Sequence, residues 1–323
     1  MKLLGIDIGG TKTAVCVGDE TGKVIATERV MMRDIDGLDA YKDTLNEMIT
    51  RVTAEADTPL DSIDQVGISA PGPLNVQRGV LLEPPNNPTW KNVPIVDMVR
   101  DLTSRPVAFN NDGNACALAE YAFGTDPDRA NMVYLTCSTG IGAGITSDGQ
   151  LIQGAHDLGG EVGHHTLYPD GLPCGCGKRG CWEMYCGGRF LALDIQHDIR
   201  TRKLSTLMTE LVDGKLEDIN IQVLVEAKRK GDHYALKRWD QYITHLAMGI
   251  GNVLMFINPA VVVLGTIAVH LGDELLDPLR ERIPDHCWRW SFEDTRIITS
   301  TLGADIGNLS ALAVAASASG TDD

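Results

Sequence analysis

The sequence has no excess of basic charge. Its 28 Lys and Arg stand against 44 Asp and Glu, giving a formal net charge of −16, and no basic patch interrupts the acidic background. A face that displaces phosphate counterions needs the opposite sign, so no nucleic-acid partner is expected. An apolar leader is missing too. Asp7 follows only three apolar side chains, Leu3, Leu4 and Ile6, too few for the core of a secretory signal, so a cytoplasmic location is expected. Nor is there an unbroken apolar run of membrane length. Residues 246–264 come nearest, but Asn258-Pro259 cuts them. Pro259 disfavours helical geometry at Asn258, which predicts a helix to about Ile257 and a buried strand over Val261 to Leu264, with no membrane partner. No flexible linker or low-complexity stretch is present apart from a tail, Ser317 to Asp323, expected to fray.

With 323 residues the chain has room for about two domains, and it needs no disulfides to build a core. Glycine is abundant, at 34 residues, which directs attention to backbone loops. Leu3 to Ile8 and Thr13 to Val17 read as strands around Gly9-Gly10-Thr11-Lys12, and a third strand follows near Val24 to Glu28. No helix follows the glycines directly, unlike a dinucleotide-binding fingerprint. Apolar residues at 38, 41, 45, 48, 49 and 52 predict an amphipathic helix. Beyond it lie a strand at Val66 to Ser69, the turn Pro71-Gly72-Pro73, a helix near Ile95 to Leu102, a strand at Val107 to Phe109 and a helix from about Gly113. The opening pattern then recurs: a strand over Met132 to Cys137, the turn 138–144, and a second turn into Leu151-Ile152. Two such units about 130 residues apart predict a duplicated α/β core, each half lending a backbone loop to a shared cleft.

Several residues suit phosphate and hydroxyl chemistry. Gly9 and Gly10 allow backbone N–H groups to converge on an anion, helped by tolerance of positive φ, although a glycine turn in a hairpin is often only a turn. Asp7 beside them could hold the water shell of a Mg²⁺ ion. Thr139, Gly140 and Gly142 offer a second such loop. Asp112, where a strand gives way to a helix, could be a helix N-cap or a general base for a hydroxyl attacking a phosphoryl group. The most specific segment is Gly160-Glu161-Val162-Gly163-His164 followed by Cys174-Gly175-Cys176-Gly177-Lys178-Arg179-Gly180-Cys181-Trp182-Glu183. One imidazole, from His164 or His165, and three thiolates make a closed tetrahedral set for Zn²⁺; free thiols or a Cys174–Cys176 disulfide are the alternatives.

These motifs, with Pro85-Asn86 and Asn111-Asp112-Gly113-Asn114, resemble the ROK family (repressors, open reading frames, kinases) from about residue 3 to 315, and within it the ATP-dependent glucokinases. The resemblance implies an actin-like, hexokinase-type fold of duplicated RNase H-like domains around an interdomain cleft. The expected domains are 1–111 with about 305–323, and 112–304. By the same resemblance Asp112 is the catalytic base, and Asn86, Asn111, Glu161, His164 and Glu183 hold sugar hydroxyls. His164, Cys174, Cys176 and Cys181 bind a structural Zn²⁺. Asp7, Gly9, Gly10, Thr11, Lys12, Thr139, Gly140, Gly142 and Gly265 serve ATP and its Mg²⁺. The implied partners are a hexose and a nucleotide, and the family commonly forms homodimers.

Two departures stand out. Ser138 replaces a usual glycine, and Thr266-Ile267 replaces a run of glycines after Gly265, which is expected to reshape the adenosine pocket without closing it. N-acetylmannosamine, N-acetylglucosamine and mannose are the alternative substrates. The family's repressors carry a helix-turn-helix ahead of the first loop, which here begins at residue 7, and a non-catalytic sensor would be expected to lose Asp112.

Overall fold

The computed structural model describes residues 1–84 and 89–318. Its strands and helices in the first half of the chain are β1 (Lys2–Ile8), β2 (Lys12–Asp19), β3 (Val24–Met31), α1 (Gly37–Glu55), β4 (Gln65–Ala70), β5 (Leu74–Asn75), β6 (Val80–Leu81), α2 (Ile95–Thr103), β7 (Val107–Asn111), α3 (Asp112–Phe123), β8 (Met132–Cys137), β9 (Ile141–Ser147) and β10 (Gln150–Leu151). The second half adds α4 (Glu183–Cys186), α5 (Gly188–Arg202), α6 (Leu207–Leu211), α7 (Ile221–Arg229), α8 (His233–Ile257), β11 (Val261–Leu264), α9 (Ile267–Leu271), α10 (Asp273–Arg282), α11 (Arg289–Phe292), β12 (Arg296–Thr299) and α12 (Ile306–Ala318). Two compact units result. The first holds Met1–Asn131, Gly144–Gly160 and the chain from Thr301 on; the second holds Met132–Ala143 and Glu161–Ser300.

In the first unit a five-stranded sheet has the order β3-β2-β1-β4-β7. β1 pairs antiparallel with β2 and parallel with β4, which pairs parallel with β7. Alternation along β1 sends Leu4, Ile6 and Ile8 to the face covered by Tyr41, Leu45, Met48, Ile49 and Val52 of α1. Leu3 goes to the opposite face, where it meets Cys16, Leu312 and Ala315. That face is covered by α12, whose run of small residues lets it lie close: a Cβ on Gly67 of β4 would stand 2.1 Å from the Ala311 carbonyl oxygen. α3 packs on α12 through Ala119, Leu309 and Ala313. Contact with α12 therefore keeps α3 in the first unit, where the sequence reading put it beyond a boundary at 111/112.

The sheet of β8 to β12 has the order β10-β9-β8-β11-β12, strand for strand that of the first sheet, and the boundary between units falls within β9, after Ala143. β8, β11 and β12 run parallel, with Val261 opposite both Met132 and Arg296. The duplication expected from the repeated strand–glycine–strand pattern is thus present in the topology. α8 ends as its sequence predicts: Asn258 takes a left-handed conformation (φ 49°, ψ 55°), its N–H donates to Leu254 O, and the buried β11 follows Pro259. No helix among the described residues is long and apolar enough to cross a membrane. Elsewhere the bounds shift by a few residues. β3 runs to Met31, β10 covers Gln150–Leu151, and α3 begins at Asp112.

Candidate functional site

Strand register gathers one set of candidates at the carboxyl ends of β1, β4 and β7. Asp7 lies opposite Ser69, and Ser69 opposite Asn110, so Asp7, Ser69 and Asn110 form a row across the sheet. Such an edge is where open α/β sheets take their ligands. Gly9 N–H is spent inside the turn on Lys12 O at 2.9 Å, which leaves Gly10 and Thr11 at its apex. Neither Gly9 nor Gly10 has positive φ. Gly9 is required by close approach and not by positive φ, since a Cβ would sit 2.9 Å from Lys12 O. Burial pushes the Asp7 carboxyl above the usual carboxylate range, and Lys12 and Arg29 offset part of that. The first turn of α12 passes it, a Cβ on Gly307 lying 2.5 Å from Oδ2, so the positive end of that helix favours the anion.

At the start of α3 the cap is Asn111, whose Oδ1 accepts the Asn114 N–H at 2.7 Å. Asp112 is the first helical residue, exposed, with Oδ1 accepting the Gly113 N–H at 2.8 Å. The N-cap alternative for Asp112 therefore passes to its neighbour. Asn110 holds the turn from below, accepting from Asn111 N at 2.9 Å and from Asn114 Nδ2 at 3.0 Å.

In the second unit the turn Ser138–Gly140 joins β8 to β9, and Gly142 lies just inside β9. Gly265 N–H donates to Leu135 O at 2.8 Å, closing the end of β11 on β8. Thr266 follows at φ 52°, ψ −110°, a conformation glycine adopts readily and threonine does not. Its hydroxyl accepts from Cys137 N–H at 3.1 Å and donates to Cys137 O at 2.6 Å. A strained backbone of about 1–3 kcal/mol is offset by two hydrogen bonds of about 1 kcal/mol each. Ile267 is buried. The two side chains that stand where glycines were expected are thus committed, one to the end of β8 and the other to the core.

The loop from Glu161 to Glu183 brings one imidazole and three thiols together. The ligand atoms of His164, Cys174, Cys176 and Cys181 all lie within 4.8 Å of one another. Cys176 Sγ is 3.6 Å from Cys181 Sγ, and Cys174 Sγ is 3.6 Å from His164 Nδ1. A tetrahedron with Zn–S near 2.3 Å and Zn–N near 2.0 Å has edges of about 3.8 and 3.5 Å, so the donor set fits zinc. The three cysteines are free thiols, which removes the disulfide alternative. Burial, then Cys176 and Cys174, push the Cys181 thiol up to about 12, a shift that a bound cation would oppose. His165 stands outside the cluster, donating from Nδ1 to Val162 O at 2.6 Å and accepting from Asn252 at 3.1 Å. Trp182, fully buried, wedges the loop against α8, where a Cβ on Gly249 would lie 1.9 Å from the indole. Burial holds the Glu161 carboxyl above its usual range; His164 opposes this and Glu183 adds to it. Asn86 lies outside the described residues.

The ROK family profile matches residues 3–318. The chain belongs to the ROK family. It is similar to the glucokinase of Thermotoga maritima, 30% identical over 97% of both chains. Among solved structures it is similar to a ROK hexokinase from Thermus thermophilus, with 31% identity, a TM-score of 0.82 and 98% of each chain covered. A ROK family glucokinase from Streptomyces griseus, solved in complex with glucose and AMPPNP, is 29% identical at a TM-score of 0.78, covering 98% of this chain and 99% of the other. The actin-like sugar-kinase fold of these ROK proteins is the fold of this chain. Sequence reasoning missed two residues of this ROK protein. Gly307 was hidden in a run of small residues, and Asn110 was overshadowed by the Asn111-Asp112 pair.

Proposed function

We propose that this chain is an ATP-dependent hexose kinase and that its preferred substrate is D-glucose, converted to glucose 6-phosphate. The observation that carries this reading is the row Asp7, Ser69, Asn110, which sets a glycine turn and a carboxylate, Asp112, at one end of one sheet. Oxygen 6 of the sugar attacks the γ-phosphorus, the bond to the β-phosphate oxygen breaks, and the hydroxyl proton passes to Asp112, releasing ADP. Gly10 to Lys12 and Thr139 to Gly142 bind the phosphates, Gly265 lies by the adenosine, and Asp7 would hold the water shell of Mg²⁺, which supplies charge neutralisation when bound. Asn86, Asn111, Glu161, Glu183 and His164 Nε2 orient the sugar hydroxyls. Carboxylates and amides suit this task because a wrong epimer leaves one of them buried and unpaired.

His164 Nδ1, Cys174, Cys176 and Cys181 would hold zinc in a structural role. Four protein ligands leave no open position, so the transfer itself falls to this chain's own residues. The enzyme works in the cytoplasm as a homodimer, a state that sedimentation would test, and takes no nucleic acid. Steady-state assays with ATP and Mg²⁺ over glucose, mannose, N-acetylmannosamine and N-acetylglucosamine test the reading. Glucose is expected to give the highest kcat/KM; a clearly higher value for an acetylated hexosamine overturns that choice, and activity with polyphosphate but none with ATP overturns the donor.

A further inference from the structure

The second glycine turn and the end of the metal-ligating loop form one hydrogen-bonded piece. The Ser138 and Thr139 carbonyls accept from the N–H groups of Gly188 and Arg189, the first residues of α5, at 2.8 and 3.1 Å. The N–H of Ile141, the first residue of β9 after the turn, donates to Glu183 Oε2 at 3.1 Å. Packing leaves no slack at that contact: a Cβ on Gly140 would stand 2.2 Å from the same oxygen. Glu183 begins α4, directly after Cys181-Trp182, so the group that ends the ligand loop also grips the turn.

We propose that Glu183 couples the two substrates of the reaction: one carboxylate oxygen holds the Ile141 N–H, the other takes a sugar hydroxyl, and hexose binding thereby prepares the turn for nucleotide phosphates. This rests on the hexose kinase reading above. Two physical effects give the coupling its sign. A hydroxyl donated to Glu183 fixes its side chain, and with it the turn, so the nucleotide meets a loop whose ordering cost has already been met. The same hydroxyl draws off negative charge that would otherwise face the incoming phosphates. Linkage makes the effect reciprocal, so bound nucleotide tightens the sugar by the same factor.

Calorimetric titration of Mg-AMPPNP into protein purified without chelator, with and without saturating glucose, measures the factor. Wild type is expected to bind nucleotide about 5- to 150-fold more tightly with sugar present. Glu183→Ala, measured at glucose raised to saturation, should bring the ratio close to one, whereas Glu183→Gln, which keeps an acceptor oxygen, should retain most of it. Gly140→Ala tests the contact while the Glu183 carboxylate stays in the chain: its methyl must displace Oε2, so the ratio should fall toward one even at glucose raised to saturation, an outcome that a role confined to sugar binding does not give. Melting temperature and bound metal confirm that each variant is folded. A ratio unchanged in Glu183→Ala and Gly140→Ala, or a wild-type ratio near one with both ligands bound, overturns the coupling alone; failure of the wild type to bind any hexose overturns the kinase reading beneath it.

Discussion

Asp112 occupies the first helical position of α3 because Asn111 has taken over the cap. The cap's work, accepting the Asn114 N–H, thereby falls to Asn111 and not to the Asp112 carboxylate. Asp112→Asn keeps the size and the Gly113 contact but cannot accept the proton, and should lower turnover by at least about 10²-fold with sugar affinity retained. Near wild-type turnover would reduce Asp112 to a helix-terminal residue. Asp7 gives a second expectation, in stability. Its carboxyl is raised by burial, so the folded chain binds that proton more tightly than the unfolded chain does. In acid, where both states are protonated, the burial costs nothing; as pH rises through the raised value the charge forms in a buried place and the cost appears in full. Asp7→Asn should therefore raise the melting temperature at pH 7 and lose that advantage near pH 4. An equal gain at both pH values would point to repacking. The individual residues were only partly legible from sequence. Asn111-Asp112 marks a strand-to-helix junction plainly, but which residue caps depends on a one-residue phase that apolar spacing does not set.

With zinc bound as proposed, the loop from Glu161 to Glu183 is held at three places: by its donor set, by Trp182 under α8, and by Glu183 at the second turn. Removing the first should leave the others strained but present. Cys176→Ala is expected to release one metal ion per chain and to weaken glucose binding more than nucleotide binding measured without sugar, by metal analysis and calorimetry. Protein free of zinc as purified, or a metal-free variant with full activity, would overturn the structural role. Elements with a strong local signature were readable in advance. β8 and β11 match their predicted bounds because each is a short, mostly apolar run with a glycine close after its end, and Pro259 marks the start of β11. The bond from Ile141 to Glu183 was not readable, because 42 residues separate the partners and only the folded loop brings them together. Thr266 was visible as a departure from glycine, yet its hydroxyl's attachment to Cys137 depends on the β8–β11 register.

Across the molecule, the duplicated strand order followed from two glycine turns about 130 residues apart, but the membership of the units did not. A helix that follows a strand in sequence need not pack with what comes next, and α3 stays behind because α12 meets it. That return of α12 to the first sheet has a consequence for synthesis. The ribosome releases residues 1–131 long before α12 emerges, so the face built from Leu3, Cys16 and Gly67 waits uncovered while the second unit is made. A chain ended after residue 304 should accumulate in the insoluble fraction, although it retains every proposed catalytic and metal-binding residue; a soluble, cooperatively melting product would show that the first sheet closes without α12. A late frameshift or stalled translation therefore marks its own product for disposal. In this chain α12 acts as a seal on the first sheet that is set only after the second unit has been made.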